Sequence, residues 1–283
     1  MFVSGGDGWT VRQLEKQAEK KGISCELFLL NEVVSRIDGE PKFSCRGEDL
    51  ENFDALIVRW VPDGSAEQLI FRMNALHILE NLGVKILNPP SAIEKCTDKF
   101  YASSLLEDEG LPVPKTVVAE ERDVAENAFE EFGDIIVKPL FGSSGTGMVR
   151  VDNEDLADRV FRALEFGRYV YYVQEFLQHG NRDKRVFVLN GEVLASMERV
   201  GEDWRTNCAR NGIARPCDVS DELEELSLKA ARVLDCEYAG VDFIESEDEL
   251  YVVEVNAIPG WENLQSVTDT NIAEGIIDYL MEI

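Results

Sequence analysis

One stretch near the end of the chain decides the fold. It consists of two apolar runs, Tyr238-Ala-Gly-Val-Asp-Phe-Ile244 and Tyr251-Val-Val-Glu-Val-Asn256, joined by the acidic segment 245–249 and followed by Ile258-Pro-Gly260. β-Branched and aromatic residues fill both runs, and the segment between them is too polar and charged to continue either one. We therefore predict a β-hairpin with the acidic segment as its connection.

This hairpin would bring three oxygen-bearing side chains to one face. Because alternate residues of a strand point to opposite faces, Glu254 and Asn256 share a face, and pairing about Asp248 places Asp242 opposite Glu254. Like charges that face each other across strands are destabilising unless a cation lies between them. Hard oxygen ligands without Cys or His nearby are typical of magnesium. The alternative is a hairpin whose acids face solvent, as expected in any very acidic protein.

The composition is that of a globular protein with a strongly acidic balance. The 283 residues are 45% hydrophobic and 29% charged, which suffices for about two domains with a real core. The net charge of −27 argues against a nucleic acid or an anionic membrane as partner, but not against a nucleotide. The six cysteines lack metal-ligand spacing, and the chain lacks both a signal-peptide pattern and an apolar run of about 18 residues. These features predict a cytoplasmic protein with reduced thiols.

The first 95 residues predict a small parallel sheet. Short apolar strands at 2–4, 26–30, 55–58 and 84–87 alternate with helices at about 11–21 and 67–81, which is the doubly wound pattern. Ser4-Gly-Gly-Asp-Gly8 lacks the full G-x-G-x-x-G spacing, so a tight turn or a substrate contact is favoured over dinucleotide binding. Arg59-Trp60 is a candidate substrate contact or a structural element. Asn88-Pro-Pro90 ends the unit, because two prolines continue neither a central strand nor a helix interior.

A lysine-ended strand and a glycine-rich loop predict a phosphate site. Lys138 lies in the strand segment 134–140, and Phe141-Gly-Ser-Ser-Gly-Thr-Gly147 follows it. Backbone N–H groups of such a loop can surround phosphate oxygens while the lysine supplies positive charge. The loop is not a Walker A motif, since no G-K-[ST] follows. A flexible hairpin tip is the alternative, and Lys99 on the helix 98–109 is by itself typical of a surface lysine.

Two further segments suit a nucleotide or another anion. The apolar linker Glu175-Phe-Leu177 suits either an adenine ring or core packing. After it, Asn190-Gly191 predicts a type I′ turn, and the hairpin around this turn carries Asp183 and Arg185 on one face. The segment 204–212 has little core character, so its arginines are expected to meet an anion.

The order of these features resembles the ATP-grasp superfamily. The chain has a lysine on a helix, a strand ending V-K-P, a glycine-serine loop, a strand ending Q-E-F, a D-x-R hairpin, R-x-N, and D…E-x-N before P-G. Within the superfamily it resembles the RimK-like carboxylate–amine ligases over nearly its whole length. The resemblance implies an α/β (α+β) ATP-grasp fold. A small parallel-sheet, Rossmann-like domain would occupy residues 1–95, a small lobe with the glycine-rich loop 96–176, and a carboxyl-terminal lobe with the magnesium site 177–283.

The resemblance also implies roles for individual residues. Those expected to hold the ATP phosphates are Lys99, Lys138 and the loop residues Gly142, Ser143, Ser144 and Gly145. Those expected to hold adenosine are Glu175, Phe176, Leu177 and Asp183. The ligands of two Mg²⁺ (or Mn²⁺) ions would be Asp242, Glu254 and Asn256, with Glu254 bridging. The residues for phosphate and the reacting carboxylate would be Arg185, Arg205 and Asn207, with Arg210 a weaker candidate.

The implied reaction is ATP-dependent amide formation. An acceptor carboxylate attacks the γ-phosphoryl group to give an acyl phosphate and ADP, and the amine of L-glutamate then displaces phosphate. Positioning and charge neutralisation suffice for such chemistry, so neither histidine, His77 or His179, is assigned to it. Segment 54–67, with Arg72-Met-Asn74 and Asn88-Pro-Pro90, most resembles the tetrahydromethanopterin:glutamate ligases. A ribosomal protein tail, a deazaflavin coenzyme and an amino-acid carrier protein stay open as acceptors, as do a homo-oligomer and an inactive ATP-binding regulator.

Overall fold

The computed structural model describes residues 1–142, 145–206 and 212–283, and its first part is a parallel sheet with helices around it. The elements of this part, besides single 3-10 turns at Leu30–Glu32 and Leu50–Asn52, are β1 (Phe2–Ser4), α1 (Trp9–Lys20), β2 (Glu26–Phe28), β3 (Val34–Ser35), β4 (Phe43–Cys45), β5 (Glu48–Asp49), β6 (Ala55–Val58), α2 (Ala66–Asn81), β7 (Lys85–Leu87) and α3 (Pro90–Thr97). The sheet has the order β2-β1-β6-β7 with parallel pairing throughout, which confirms the predicted parallel sheet. Strands β3, β4 and β5 form a small antiparallel sheet beside it. In the loop after β1, a Cβ on Gly5 would lie 2.8 Å from Val11 Cγ2, so the close approach of the loop to α1 requires glycine there.

A second, antiparallel sheet forms the small lobe. Its part of the chain contains α4 (Lys99–Asp108), β8 (Thr116–Ala119), α5 (Arg122–Phe132), β9 (Ile135–Lys138), β10 (Val149–Val151), α6 (Glu154–Gly167) and β11 (Tyr171–Glu175). The strand order is β10-β9-β11-β8. Small side chains of α5, Ala125 and Ala128, and Phe161 of α6 are buried in one core with the strands. Residues 116–175 therefore have a core of their own.

The third sheet is the central one, and all its strand pairs are antiparallel. Its part of the chain contains β12 (Arg182–Leu189), β13 (Glu192–Val200), β14 (Ile213–Pro216), α7 (Asp221–Val233), β15 (Tyr238–Ser246), β16 (Glu249–Asn256), α8 (Glu262–Gln265) and α9 (Ile272–Glu282). The order is β14-β13-β12-β15-β16. One face packs its apolar residues, among them Val241 and Phe243, against α7 and α4. The other face contributes Phe187 and Tyr238 to a core shared with α1 and α9, and it carries charged residues beyond that core.

The predicted hairpin β15–β16 contains a two-residue turn and a one-residue bulge. Glu247 and Asp248 form the turn with φ of 53° and 67°, so the predicted connection 245–249 was too long. Phe243 pairs with Val252 but Asp242 pairs with Glu254, which leaves Val253 as the bulge. The predicted pairing of Asp242 with Glu254 is thus confirmed, although it results from a tighter turn plus a bulge and not from a turn centred on Asp248. The bulge turns Glu254 away from the core face that Val252 occupies.

The hairpin β12–β13 is built in the same way. Asn190 and Gly191 form the predicted turn with φ of 50° and 75°. Val188 pairs with Val193, but Phe187 pairs with Ala195, so Leu194 is the bulge. Beyond the bulge the register is shifted by one residue. Asp183 therefore pairs with Arg199, a pairing that the turn alone would not give.

Asn88 joins the parallel sheet to the central sheet. Its side chain is fully buried, and Nδ2 donates to the carbonyl oxygens of Tyr238 (2.7 Å) and Ala257 (2.6 Å). Its Oδ1 accepts from the backbone N–H groups of Glu237 (2.8 Å) and Tyr238 (3.1 Å). One amide side chain therefore fixes both the start of β15 and the end of β16 against the first sheet.

Arg59 strengthens the same seam. Nη1 donates to Tyr238 Oη (2.9 Å), Nη2 donates to the Pro259 carbonyl (2.6 Å), and the guanidinium lies 4.4 Å from the centre of the Trp261 ring. Of the two interpretations given to Arg59, these contacts fit the structural one. Two ion pairs and a thiol contact complete the seam: Lys85–Glu237, Lys95–Asp235 and Cys96–Cys236.

Among the described residues, no helix combines the length and the apolar character needed to cross a membrane. Five of the six cysteines are free thiols, and Cys208 lies outside the described ranges.

Candidate active site

A cleft of about 860 Å³, its open mouth included, lies between the small lobe and the central sheet. The predicted site residues that line it are Lys99, Lys138, Gly142, Gly145, Glu175, Leu177, Asp183, Arg205, Asp242 and Glu254. Three others do not line it: Phe176, Arg185 and Asn256. Ser143, Ser144, Asn207 and Arg210 lie outside the described residues.

Lys138, the last residue of β9, is a buried cation on the small-lobe wall. Its Nζ donates to Gln174 Oε1 at 2.6 Å, and Gln174 Nε2 in turn donates to Thr116 Oγ1 at 2.9 Å. Burial lowers the pKa of Lys138 to about 8, a shift that Glu254 opposes and Lys99 adds to. The lysine is thus electrostatically coupled to the carboxylate on the opposite wall.

Two cations hold the ends of the glycine-rich loop. Lys99 Nζ donates to the Gly142 carbonyl at 2.6 Å, and Arg205 Nη2 donates to the Met148 carbonyl at 3.3 Å. Within the described residues, Arg205 Nε is buried without a hydrogen-bond partner. A buried donor without a partner is costly, so Arg205 has capacity to bind an anion in the cleft.

Two of the three backbone N–H groups in the linker 175–177 after β11 are hydrogen-bonded within the protein. The Glu175 N–H donates to the Lys115 carbonyl (3.0 Å), and Glu175 Oε1 accepts from the Lys115 N–H (2.8 Å). The Phe176 N–H donates to the Asp134 carbonyl (2.9 Å). Of the three linker amides, that of Leu177 alone makes no hydrogen bond to the described part of the chain. Leu177 is therefore the linker residue whose N–H is available to a base.

Aromatic residues surround this end of the cleft. The Phe176 ring packs under the Arg150 guanidinium, 3.6 Å from its centre, and edge-on to Trp204. Trp204 itself lines the cleft, as does the buried His179, whose pKa is lowered by burial. Sequence analysis gave neither residue a role in the site. Phe176 supports the wall from behind, and Trp204 and Leu177 face the ligand space.

Two arginines compensate the two buried aspartates on the central sheet. Arg185 Nε and Nη2 donate to the two Asp242 carboxylate oxygens, both at 2.6 Å. Arg199 Nε and Nη2 donate to Asp183 at 2.5 and 2.8 Å, and Nη2 also lies 3.1 Å from Asp242 Oδ2. Burial raises the pKa of Asp242, but its two arginine partners outweigh burial and hold the pKa below its ordinary value.

Arg199 is a further cleft residue that sequence analysis did not identify. It is 3% exposed, and its register partner on β12 is Asp183. Simple pairing about Asn190-Gly191 would set Glu198 opposite Asp183, and the bulge replaces that like-charge pair with an ion pair. The one available signal was that a buried Asp183 requires a nearby cation.

The three predicted metal ligands lie together on one face of the hairpin β15–β16. Asp242 pairs with Glu254, and Asn256 pairs with Gly240, to whose carbonyl Asn256 Nδ2 donates at 3.5 Å. No group of three His, Cys, Asp or Glu side chains in the described ranges is arranged for a metal, so the set depends on the Asn256 amide oxygen. Two carboxylates and an amide oxygen are donors that Mg²⁺ accepts, with water and phosphate completing the shell. The arginines use three of about four lone-pair positions on Asp242, which leaves one for a metal. The donor set fits Mg²⁺.

The fold is that of the ATP-grasp ligases. The structure superposes on the solved ATP-grasp ligase PsnB, complexed with a minimal precursor, Mg and ADP, with a TM-score of 0.77 and 22% identity over 99% of this chain and 96% of that one. The profile of the RimK-like ATP-grasp domain matches residues 96–280, and the chain belongs to this family.

Individual relatives match a larger share of the chain than the family profile does. The chain is 35% identical to the tetrahydromethanopterin:alpha-L-glutamate ligase of Methanococcus maripaludis, over 98% of this chain and 96% of that protein. It is 34% identical to the alpha-aminoadipate–LysW ligase LysX of Sulfurisphaera tokodaii, over 72% of this chain and 74% of that protein. The protein is therefore an ATP-dependent ligase of the carboxylate–amine class.

Proposed function

We propose that this ligase adds L-glutamate to a carboxylate of a coenzyme of the tetrahydromethanopterin type. The observation that carries the proposal is the similarity to a ligase of that specificity along nearly the whole of both chains, the parallel-sheet part included. In that part, Asn88 and Arg59 tie the first sheet to the acidic hairpin, so the first sheet forms a fixed wall beside the site.

Different residues of the cleft bind the phosphates and the adenosine of ATP. Lys138 of β9 and Lys99 of α4 bind the ATP phosphates, together with Gly142, Ser143, Ser144 and Gly145 of the glycine-rich loop. The adenosine lies against Leu177 and Glu175 of the linker, with Asp183 beside it, and Phe176 supports this wall from behind. Since Asp183 already accepts from Arg199 and Thr206, its contribution to the nucleotide is made through that network.

The acidic hairpin holds the metal. Asp242, Glu254 and Asn256 would bind Mg²⁺, which when bound neutralises phosphate charge. Arg205, with a donor nitrogen still unpaired among the described residues, neutralises the charge that develops on the transferred phosphoryl group. Arg185 and Asn207 hold the reacting carboxylate, and the reaction requires that water be kept from the acyl phosphate.

A second acceptor has support of its own. The similarity to the alpha-aminoadipate–LysW ligase favours an amino-acid carrier protein. That similarity covers 72% of the chain against 98% for the tetrahydromethanopterin ligase, so the coenzyme is the first candidate.

Mass spectrometry of the reaction products tests the acceptor. Purified protein is incubated with MgATP, L-glutamate and tetrahydromethanopterin, and ADP is measured in parallel. We expect a product heavier by one glutamyl residue and an equal amount of ADP, with neither formed when the pterin is left out. ADP without a glutamyl-pterin would contradict the coenzyme acceptor, and the carrier protein would then replace it.

A further inference from the structure

Arg185 lies on the other side of Asp242 from the nucleotide cleft. It is opposite Asp242 in the β12–β15 pairing, yet it does not line the cleft, whereas Arg199, Asp242 and Glu254 do. The Arg185 side chain lies beside Gly240 and Pro259: a Cβ on Gly240 would be in ordinary contact with Arg185 Nε at 3.7 Å and would clash with Pro259 Cβ at 2.9 Å. The guanidinium therefore faces the Pro259 segment, which Arg59 holds against the edge of the parallel sheet.

The two arginines on Asp242 differ in how firmly they are held. Arg199 is also bonded to Asp183, and its side chain is 4% exposed. The Arg185 side chain is 14% exposed, and among the described residues its hydrogen bonds go to Asp242 alone. Of the two, Arg185 is the one that can leave without abandoning a second buried acid.

We propose that Asp242 exchanges partners during the reaction cycle: when metal and nucleotide bind at Asp242, the Arg185 guanidinium is released and binds the carboxylate of the acceptor. This inference rests on the proposed function, since it assumes the metal ligands given there. The exchange breaks and forms hydrogen bonds only, and no proton is transferred.

Charge drives the exchange in both directions. A divalent cation near Asp242 repels the guanidinium and competes for the same oxygens. A guanidinium removed from its carboxylate in a part-buried position is costly until another anion replaces it. Nucleotide binding thereby creates the acceptor site, and by linkage the acceptor strengthens metal binding by the same factor. The acceptor would bind after the nucleotide.

The test is metal affinity in variants of Arg185, measured by electron paramagnetic resonance of Mn²⁺ in the presence of ADP. Arg185→Lys is the decisive variant, because it keeps the charge but cannot form the two-point contact with the carboxylate. We expect it to bind Mn²⁺ roughly fivefold more tightly than the wild type, and Arg185→Gln more tightly still. Lys184→Gln is the matched control: it removes a charge one residue away, on a side chain paired with Glu245, and its Mn²⁺ affinity should stay within about twofold of the wild type.

The outcomes separate the exchange from the proposed function. If Arg185→Lys binds Mn²⁺ like the wild type while Arg185→Gln binds it more tightly, total charge alone sets the affinity and the exchange is wrong. If the wild-type protein with ADP binds no Mn²⁺, the exchange and the proposed metal site fail together.

A second measurement uses the wild-type protein and needs a variant only for assignment. In protein labelled with ¹⁵N-arginine, the Arg185 Nε–H resonance is identified by its absence from either Arg185 variant. Addition of Mg²⁺ and ADP should shift this resonance and speed its exchange with water, while the Arg199 resonance keeps its protection. An Arg185 resonance that does not respond to saturating Mg²⁺ and ADP would overturn the proposal.

Discussion

The hairpins β12–β13 and β15–β16 have the same backbone construction but differ in the charges that they place opposite each other. Each has a two-residue turn with both φ angles positive, a single bulge in its second strand, and a buried aspartate beyond the bulge. In the first hairpin the bulge sets Asp183 opposite Arg199, and in the second it sets Asp242 opposite Glu254. The first pair is compensated within the hairpin. The second has a surplus of negative charge, and its compensation comes from residues outside the hairpin: Arg185, Arg199 and Lys138.

This difference shows what distinguishes a structural carboxylate from one available to a metal. Burial does not separate them, since Asp183 and Asp242 are 7% and 2% exposed. The partner across the strand does: an arginine makes a closed ion pair, and a second carboxylate leaves a position for a cation.

We expect the largest effect from Glu254→Gln, which removes the negative charge of this side chain in the hairpin β15–β16 and nearly keeps its volume. Turnover should fall by roughly a thousandfold, because a metal ligand and its charge are lost. Stability in urea should change by less than about 1 kcal/mol, because among the described residues no hydrogen-bonded partner of the Glu254 side chain is left unpaired. Steady-state ADP formation checks this, with the exposed Glu249→Gln on the same strand as control. Wild-type turnover of Glu254→Gln would contradict the metal site.

The corresponding change in the first hairpin, Arg199→Met, should act on stability. It leaves Asp183 buried without its main partner and weakens the compensation of Asp242, which costs about 3–5 kcal/mol. Urea unfolding measures the loss. Arg182→Met, which removes an exposed ion pair with Glu198 in the same hairpin, should cost less than about 1 kcal/mol. Equal stabilities of the two variants would show that Asp183 is not a structural carboxylate.

The pH dependence of nucleotide binding tests whether Glu254 acts across the cleft. Burial lowers the pKa of Lys138 to about 8, while an unfolded lysine titrates near 10.4, so the folded protein releases this proton first. Below pH 8 the buried charge lowers stability in full, and that cost disappears as pH rises through the interval between the two pKa values.

ADP affinity, measured by calorimetry from pH 7 to pH 9.5, should therefore fall above about pH 8 as Lys138 loses its charge. Glu254→Gln should move this fall to lower pH, because Glu254 raises the pKa of the lysine. Lys138→Arg should flatten the profile, since a guanidinium stays charged. A profile in Lys138→Arg that matches the wild type would assign the titration to another group.

The smallest effect concerns the turns. The first hairpin uses Asn190-Gly191, which suit positive φ, whereas the second uses Glu247-Asp248 at φ of 53° and 67°. Replacing the latter pair by Asn-Gly should stabilise the protein by about 1 kcal/mol without affecting turnover. Calorimetric melting measures the gain. A melting temperature that does not rise would mean that the Glu247-Asp248 turn carries no strain.

The elements could be predicted from sequence because their signals are local. Apolar alternation and the Asn190-Gly191 turn predicted both hairpins, and the parallel sheet followed from its short strands. The bulges at Leu194 and Val253 have no such signal, since they depend on how each strand packs against the whole sheet. Arg199 was missed for this reason, and the pairing of Asp242 with Glu254 was predicted correctly only because two deviations cancelled. The use of the Phe176 amide by Asp134 is likewise a long-range contact that no local pattern encodes.

The hydrogen bonds of Asn88 and Arg59 have a mechanical consequence. They fix the parallel sheet to both strands of the hairpin β15–β16 at its open end, so these two sheets form one connected base. The small-lobe sheet, residues 116–175, has its own core and joins that base through the chain on either side of it. The position of the parallel sheet relative to the hairpin β15–β16 is then set once, when the protein folds, and is not rebuilt in every catalytic cycle.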